Sequence, residues 1–162
     1  FDQEEAIIRV VMGPQSDMFT SDGIRTFLNE EYTVTSDFDR MGCRLDGPYI
    51  AHKGKADIIS DGTAFGSIQV PAHGKPIILL ADRQTTGGYA KIATVASVDI
   101  PKLVQRKTDH KIRFESISVE KAQQLLLAEQ REFSQMRHTI HQPCQEVLDV
   151  RLVAKRLTTL FE

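Results

Sequence analysis

Between residues 6 and 118 no apolar run is longer than a strand, and Gly, Pro or Asp interrupts each one. That spacing limits the possible folds more than any other feature of the chain. Runs rich in β-branched residues at 6–12, 32–35, 67–70, 76–81, 91–98 and 111–116 read as strands. Gly13-Pro14, Asp46-Gly47-Pro48, Asp61-Gly62, His73-Gly74 and Gly87-Gly88 separate them. One short helix is expected among them, capped by Thr20 or Ser21 and burying Ile24, Phe27 and Leu28. Six or more short strands without long alternating helices exclude a parallel α/β sheet. A mainly-β barrel or sandwich remains.

After Ser118 the texture changes. Val119, Ala122, Leu125, Leu126, Phe133, Met136 and Ile140 recur at three- and four-residue steps, and Ser118 with Glu120 marks a helix start. Pro143 breaks the pattern, and a second stripe follows at Val147, Leu148, Leu152, Val153, Leu157 and Leu160. The expected organisation is a β domain over 1–118 and a C-terminal helical pair over 119–162. These stripes serve either to pack on the barrel or to meet a partner or second copy.

A chain of 162 residues buries enough surface to be stable without a metal or a disulfide. Its 20 Lys+Arg against 22 Asp+Glu argue against a general nucleic-acid binder. No stretch approaches the roughly 20 apolar residues of a membrane span. The charge is uneven, with 8 basic and 4 acidic residues between 61 and 114, so the middle third is the place to hold an anion. Cys43 and Cys144 lie far apart and read as reduced thiols of a cytoplasmic protein. The five histidines show no metal-like spacing, so no metal is expected.

Two polar stretches could carry chemistry. Asp82-Arg83-Gln84-Thr85-Thr86-Gly87-Gly88-Tyr89-Ala90-Lys91 follows the most apolar strand directly, so a rigid element can hold its charges. The glycines admit close backbone approach to a ligand, Thr85 and Thr86 add hydroxyls, and Arg83 and Lys91 suit a carboxylate or phosphate. No Gly-Lys-Ser/Thr element follows, so this is not a P-loop. The second stretch, 39–47, carries Arg40 and Arg44, which on a strand would share a face. For either stretch the plainer reading is a polar turn whose charges answer one another.

VVMGPQSDMF (10–19), DRMGCRLDG (39–47), ADIISDG (56–62), IQVP (68–71) and PIILLADRQTTGGYAKIATV (76–95) together resemble one family. It is the biotin-dependent carboxyltransferase-like family, also called allophanate hydrolase subunit 2. The match runs from about Ile8 to Ala122 with the motifs in the same order. Within that family the chain is similar to the C subunits of bacterial ATP-dependent 5-oxoprolinase, a group that includes the antagonist of a sporulation-kinase inhibitor.

The resemblance implies a cyclophilin-like β-barrel with a short helix and a C-terminal helical segment. It implies work beside a companion B subunit, with a separate A subunit, also required, and ATP driving the opening of the 5-oxoproline lactam to glutamate. Alternative roles in the family are biotin-dependent carboxyl transfer to urea-like amides and a regulatory module that binds a kinase inhibitor. The family's shared residues fall here on Arg40, Met41, Arg44, Ser60, Asp61, Gln69, Asp82, Arg83, Thr85, Thr86, Gly87, Gly88, Tyr89 and Lys91. From these, Asp82, Arg83 and Lys91 are expected to be catalytic, and the others except Met41 to bind substrate. Asp82, Arg83 and Lys91 are expected around one concave site, with Arg40 or Arg44 approaching it. Family members are about twice as long, and this chain corresponds to their C-terminal half. It is expected to be an excised piece, and to fold without being active if the active site lies between the halves.

Overall fold

The computed structural model describes residues 5–141. In chain order the elements are β1 (Glu5–Met12), α1 (Ser21–Asn29), β2 (Tyr32–Phe38), β3 (Gly42–Asp46), β4 (Asp57–Gly62), β5 (Ser67–Gln69), β6 (Ile77–Leu79), β7 (Thr86–Tyr89), β8 (Lys91–Val95), α2 (Ile100–Val104), β9 (Lys111–Ser116) and α3 (Val119–His141). Seven strands close a barrel in the order β1-β8-β5-β6-β3-β2-β9. The parallel pair β1–β9 shuts the ring, and the other barrel pairs are antiparallel. Of the barrel and the sandwich that the strand spacing left open, the barrel is the fold observed, as the family resemblance implied.

Alternation explains the core. Ile8 and Val10 of β1, Cys43 of β3, Ile68 of β5, Ile78 of β6 and Ile112 of β9 are fully buried, and their strand neighbours face outward or meet a covering element. Each such side chain contributes roughly 1.5–3 kcal/mol relative to exposure. Thr20 accepts a bond from the Gly23 N–H at 2.9 Å and so caps α1. α1 lays Phe27 on Phe114 of β9 with ring centroids 4.4 Å apart, and Tyr32 lies 5.7 Å from the same ring. Burial pushes the Cys43 thiol up to about 12, so it is a neutral, inert core group.

The strand expected over 91–98 stops at Val95. Residues Ser97–Asp99 make a 3₁₀ turn that leads into α2, with a proline in its first turn. The side chain of Asp99 has no exposed area and accepts from Arg9 Nε at 2.7 Å, Arg9 Nη2 at 2.6 Å and the Arg9 N–H at 2.9 Å. Lys102 adds an ion pair at 2.9 Å. Burial alone would raise the Asp99 pKa, but these donors hold it below the usual carboxylate range.

Three strands were not expected from the apolar runs. β3 lies in the barrel between β6 and β2, while β4 and β7 pair, among the described residues, only with each other, as a polar ribbon apart from the barrel ring. The chain divides into two compact units, Phe1–Leu127 and Ala128–Glu162, and the division falls inside α3. The second apolar stripe and Cys144 lie outside the described residues. Among the described residues, no helix is long and apolar enough to cross a membrane.

Candidate functional site

The site begins with strand register. Arg44 pairs with Ile77, Ile77 with Gln69, and Gln69 with Lys91. Directly paired residues project from the same face of a sheet. Arg44, Ile77 and Gln69 therefore form one row across β3, β6 and β5, and Lys91 of β8 joins its end across a bulge, since Ile68 pairs with Ala93 but Gln69 with Lys91. On those first three strands the neighbours Cys43, Ile78 and Ile68 point into the core. The row consequently lies on the outer face of the barrel.

An outer face is normally wet, yet Gln69 is only 7% exposed and Lys91 only 3%. The ribbon covers them. Asp61 and Gly87 are register partners within the ribbon, just as Gln69 and Lys91 are partners within the barrel. Gly87 sits over Gln69: a Cβ there would come 2.4 Å from Gln69 Nε2 and 3.2 Å from Thr63 Cγ2. Asp61 sits over Lys91, with Nζ 3.2 Å from Oδ2.

A third piece locks the Lys91 end. Gln15, in the turn after β1, donates from Nε2 to Asp61 Oδ2 at 3.2 Å and accepts the Lys91 N–H at 3.2 Å. That turn can come so close because residue 13 is glycine, whose Cβ would otherwise lie 2.4 Å from the Lys91 carbonyl oxygen. Lys91, the Gly62 N–H and Gln15 together hold the Asp61 carboxyl below its usual range. Among the described residues, Lys91 Nζ makes no hydrogen bond apart from the ion pair, and Gln69 Nε2 makes none.

Between ribbon and barrel lies a cleft of about 490 Å³. Arg44, Ile77 and Gln69 of the row line it. Thr63, Arg83, Gln84 and Thr86 line it from the ribbon side, Asp37 from the end of β2, and Asp39 and Met41 from the β2–β3 turn. Its charges are mixed. Arg44 meets no carboxylate among the described residues. One Asp39 oxygen is occupied by the Met41 and Gly42 N–H groups at 2.8 and 3.0 Å.

The structure separates the sequence-derived residues. Arg44, Gln69, Arg83 and Thr86 line the cleft, while buried Lys91 pairs with half-exposed Asp61 at the end of the row. Arg40 and Asp82 join each other on the surface through contacts of 2.9 and 3.1 Å, away from the cleft lining. Arg83 donates to the carbonyls of Thr63 at 3.1 Å and Leu80 at 3.3 Å, and stands 5.8 Å from the Phe65 ring centroid. It therefore fastens the ribbon as well as facing the cleft. Ser60, Thr85 and Tyr89 are exposed on or beside the ribbon. Gly88 has open space, its nearest neighbour being the Ile58 carbonyl oxygen at 3.7 Å. The close approach that Gly87 permits is to Gln69. Gln15 and Thr63 were not singled out from the sequence. Gln15 lies within the 10–19 motif, and Thr63 gives no local signal beyond following Asp61-Gly62.

Relatives of the chain bear on this arrangement. The 5-oxoprolinase C subunit of Haemophilus influenzae is 39% identical over 119 residues, which are 74% of this chain and 38% of that protein. The C subunit of Escherichia coli 5-oxoprolinase is 34% identical over 134 residues, covering 83% of this chain and 43% of the relative. This chain thus spans less than half the length of either. Among solved structures, the urea amidolyase of K. lactis superposes with a TM-score of 0.76 at 24% identity, over 81% of this chain and 8% of that one, a likeness of fold. Residues 1–116, from the first strand of the barrel to the last, match the family described as carboxyltransferase domain, subdomain A and B, and the chain belongs to that family.

Proposed function

We propose that this chain supplies the substrate-holding part of a 5-oxoprolinase C subunit. In this reading a small cyclic amide carrying a carboxylate sits between ribbon and barrel, and the companion A and B subunits make up the rest of the enzyme. One observation carries the reading: Gln69 Nε2 and Lys91 Nζ are buried, adjacent in register, and hold unused donor capacity. A buried donor without a partner costs about 1–3 kcal/mol, which an acceptor oxygen of a ligand offsets. The names of the two relatives supply the substrate class.

The chemistry follows from the donors. Water adds to the lactam carbonyl carbon and places negative charge on the oxygen; the C–N bond then breaks, and the nitrogen takes up the two protons of the water, leaving a carboxylate and an ammonium. The Gln69 amide, which lines the cleft, is a fixed donor for that oxygen, and fixed donors stabilise developing charge without reorganising; the Lys91 ammonium, its register partner outside the cleft lining, adds positive charge beside it. Asp61 keeps Lys91 oriented, and the Arg44 guanidinium is the natural partner of the substrate carboxylate. Arg83 and Thr63 hold the ribbon over the substrate. Asp82, paired with Arg40, has no role at the reacting atoms in this scheme.

ATP does not fit the described residues. A triphosphate asks for clustered cations or a cradle of N–H groups, whereas Arg44 and Arg83 share the cleft with Asp37 and Asp39, and Gly87 packs against Gln69. We assign ATP to one of the companions and derive no step from it. The test is Gln69→Leu in the enzyme assembled with its companions, measured as oxoproline-dependent ATP hydrolysis. Turnover should fall by roughly a hundredfold, the usual effect of deleting one such donor, with the melting transition kept. Wild-type turnover in a folded Gln69→Leu enzyme would sink the proposal. Biotin-dependent carboxyl transfer without oxoproline turnover would sink it equally.

A further inference from the structure

α3 carries a seam that the substrate cleft does not use. Leu126, Glu129, Phe133, Met136 and Ile140 follow one another at alternating three- and four-residue steps. Those steps are the alternating seam positions of two heptads, the pattern with which two helices pair in a left-handed coiled coil. Phe133, Met136 and Ile140 are 61%, 56% and 73% exposed. A helix that served only its own domain would bury this stripe. The family match ends at residue 116, so α3 is additional to the region that defines the family.

We infer that α3 pairs two copies of this chain as a parallel two-stranded coiled coil. The flanking charges select the occupant. Glu132 directly precedes the seam residue Phe133, and Arg137 directly follows Met136. In a parallel pair the residue before one seam position lies beside the residue five further along the other helix. Glu132 of one copy thus meets Arg137 of the other, and symmetry repeats the pair. A single helix carries both members, so the face is complementary to itself. An antiparallel pairing sets like positions against each other and loses this match. Glu129 is the polar seam residue: two carboxylates side by side lower stability while fixing register, as a single polar seam position does in other coiled coils.

Sedimentation equilibrium of the full chain across a wide concentration range tests the inference. A reversible monomer–dimer equilibrium is expected. Phe133→Glu should leave a monomer whose barrel melts as in the wild type, and Glu129→Leu should tighten the dimer. Glu132→Arg turns two attractive pairs repulsive and should weaken association by roughly tenfold. Adding Arg137→Glu to it should restore the original affinity, a rescue independent of how stable the helix is alone. A chain that stays monomeric at every concentration overturns the inference, as does a dimer that survives Phe133→Glu. Failure of the double exchange to restore affinity overturns the parallel pairing.

Discussion

Lys91→Met should make the protein more stable and the enzyme inactive. The ammonium is 3% exposed, at the end of a row on which the ribbon sits. It has three donors, of which one faces Asp61 at 3.2 Å and none makes a hydrogen bond of good geometry. Each buried donor left without an acceptor costs about 1–3 kcal/mol. Against this, Asp61 is half exposed, so solvent screens the ion pair and it returns little. Methionine keeps the unbranched stem that packs under the ribbon and deletes the charge. Replacing a poorly compensated buried charge by an apolar group of similar shape is often stabilising. The expected gain is about 1 kcal/mol, a rise in Tm of about 2–4 °C for a chain of this size. Calorimetry and urea midpoints on the isolated chain measure that side, and oxoproline-dependent ATP hydrolysis by the assembled enzyme, expected to drop at least a hundredfold, measures the other. A loss of more than about 2 kcal/mol in stability would refute the reasoning, because Lys91 would then hold the ribbon rather than await a ligand.

Asp99→Asn should cost about 2–3 kcal/mol near neutral pH, since it leaves the Arg9 guanidinium without its bidentate partner. Because Asp99 titrates below the usual carboxylate range, its contribution is complete above about pH 4 and lost as pH falls through the lowered value, so urea midpoints of variant and wild type should converge in acid. Gly87→Ala should displace Gln69 or lift the ribbon, costing about 1–3 kcal/mol and weakening 5-oxoproline binding by calorimetry, whereas Gly88→Ala, with open space around it, should change neither.

The barrel was legible in the sequence because its strands bury one face. Ile8 and Val10, or Ile78 between Ile77 and Leu79, announce themselves as short β-branched apolar runs bounded by turn residues. The ribbon did not announce itself. DIISDG and TGGY are exposed along most of their length, and what makes TGGY a strand is its partner, with Asp57 opposite Tyr89 and Asp61 opposite Gly87. The stretch 82–91 therefore read as a glycine-rich ligand loop, although half of it is a covering strand. α2 was hidden for a similar reason. Its approach is fixed by Asp99 gripping Arg9, a contact that spans most of the barrel's length in sequence. Residue types in a local window carry no trace of it.

What separates the candidate site from the rest of the surface is a conflict between levels. Lys91 opens β8, whose sequence KIATV is otherwise a core strand, and a charge buried there works against folding. Gln69 likewise closes the fully buried strand SIQ. Either residue alone could be a polar group that the fold happens to cover. Register makes them one feature, since Gln69 faces Lys91 directly and the covering glycine and aspartate also face each other. A glycine that admits the Gln69 amide, and a carboxylate held ionised beside Lys91, serve no packing purpose that apolar residues would not serve better. Local rules broken together at one place, with only the half-exposed Asp61 among the described residues to answer Lys91 and no partner there for Gln69 Nε2, point to a ligand as the missing partner. The sharpest form of that argument is a double variant. Gln69→Leu with Lys91→Met should melt above the wild type and bind no 5-oxoproline by calorimetry, while a double variant that is less stable than both single ones would mean that the two donors support the ribbon instead.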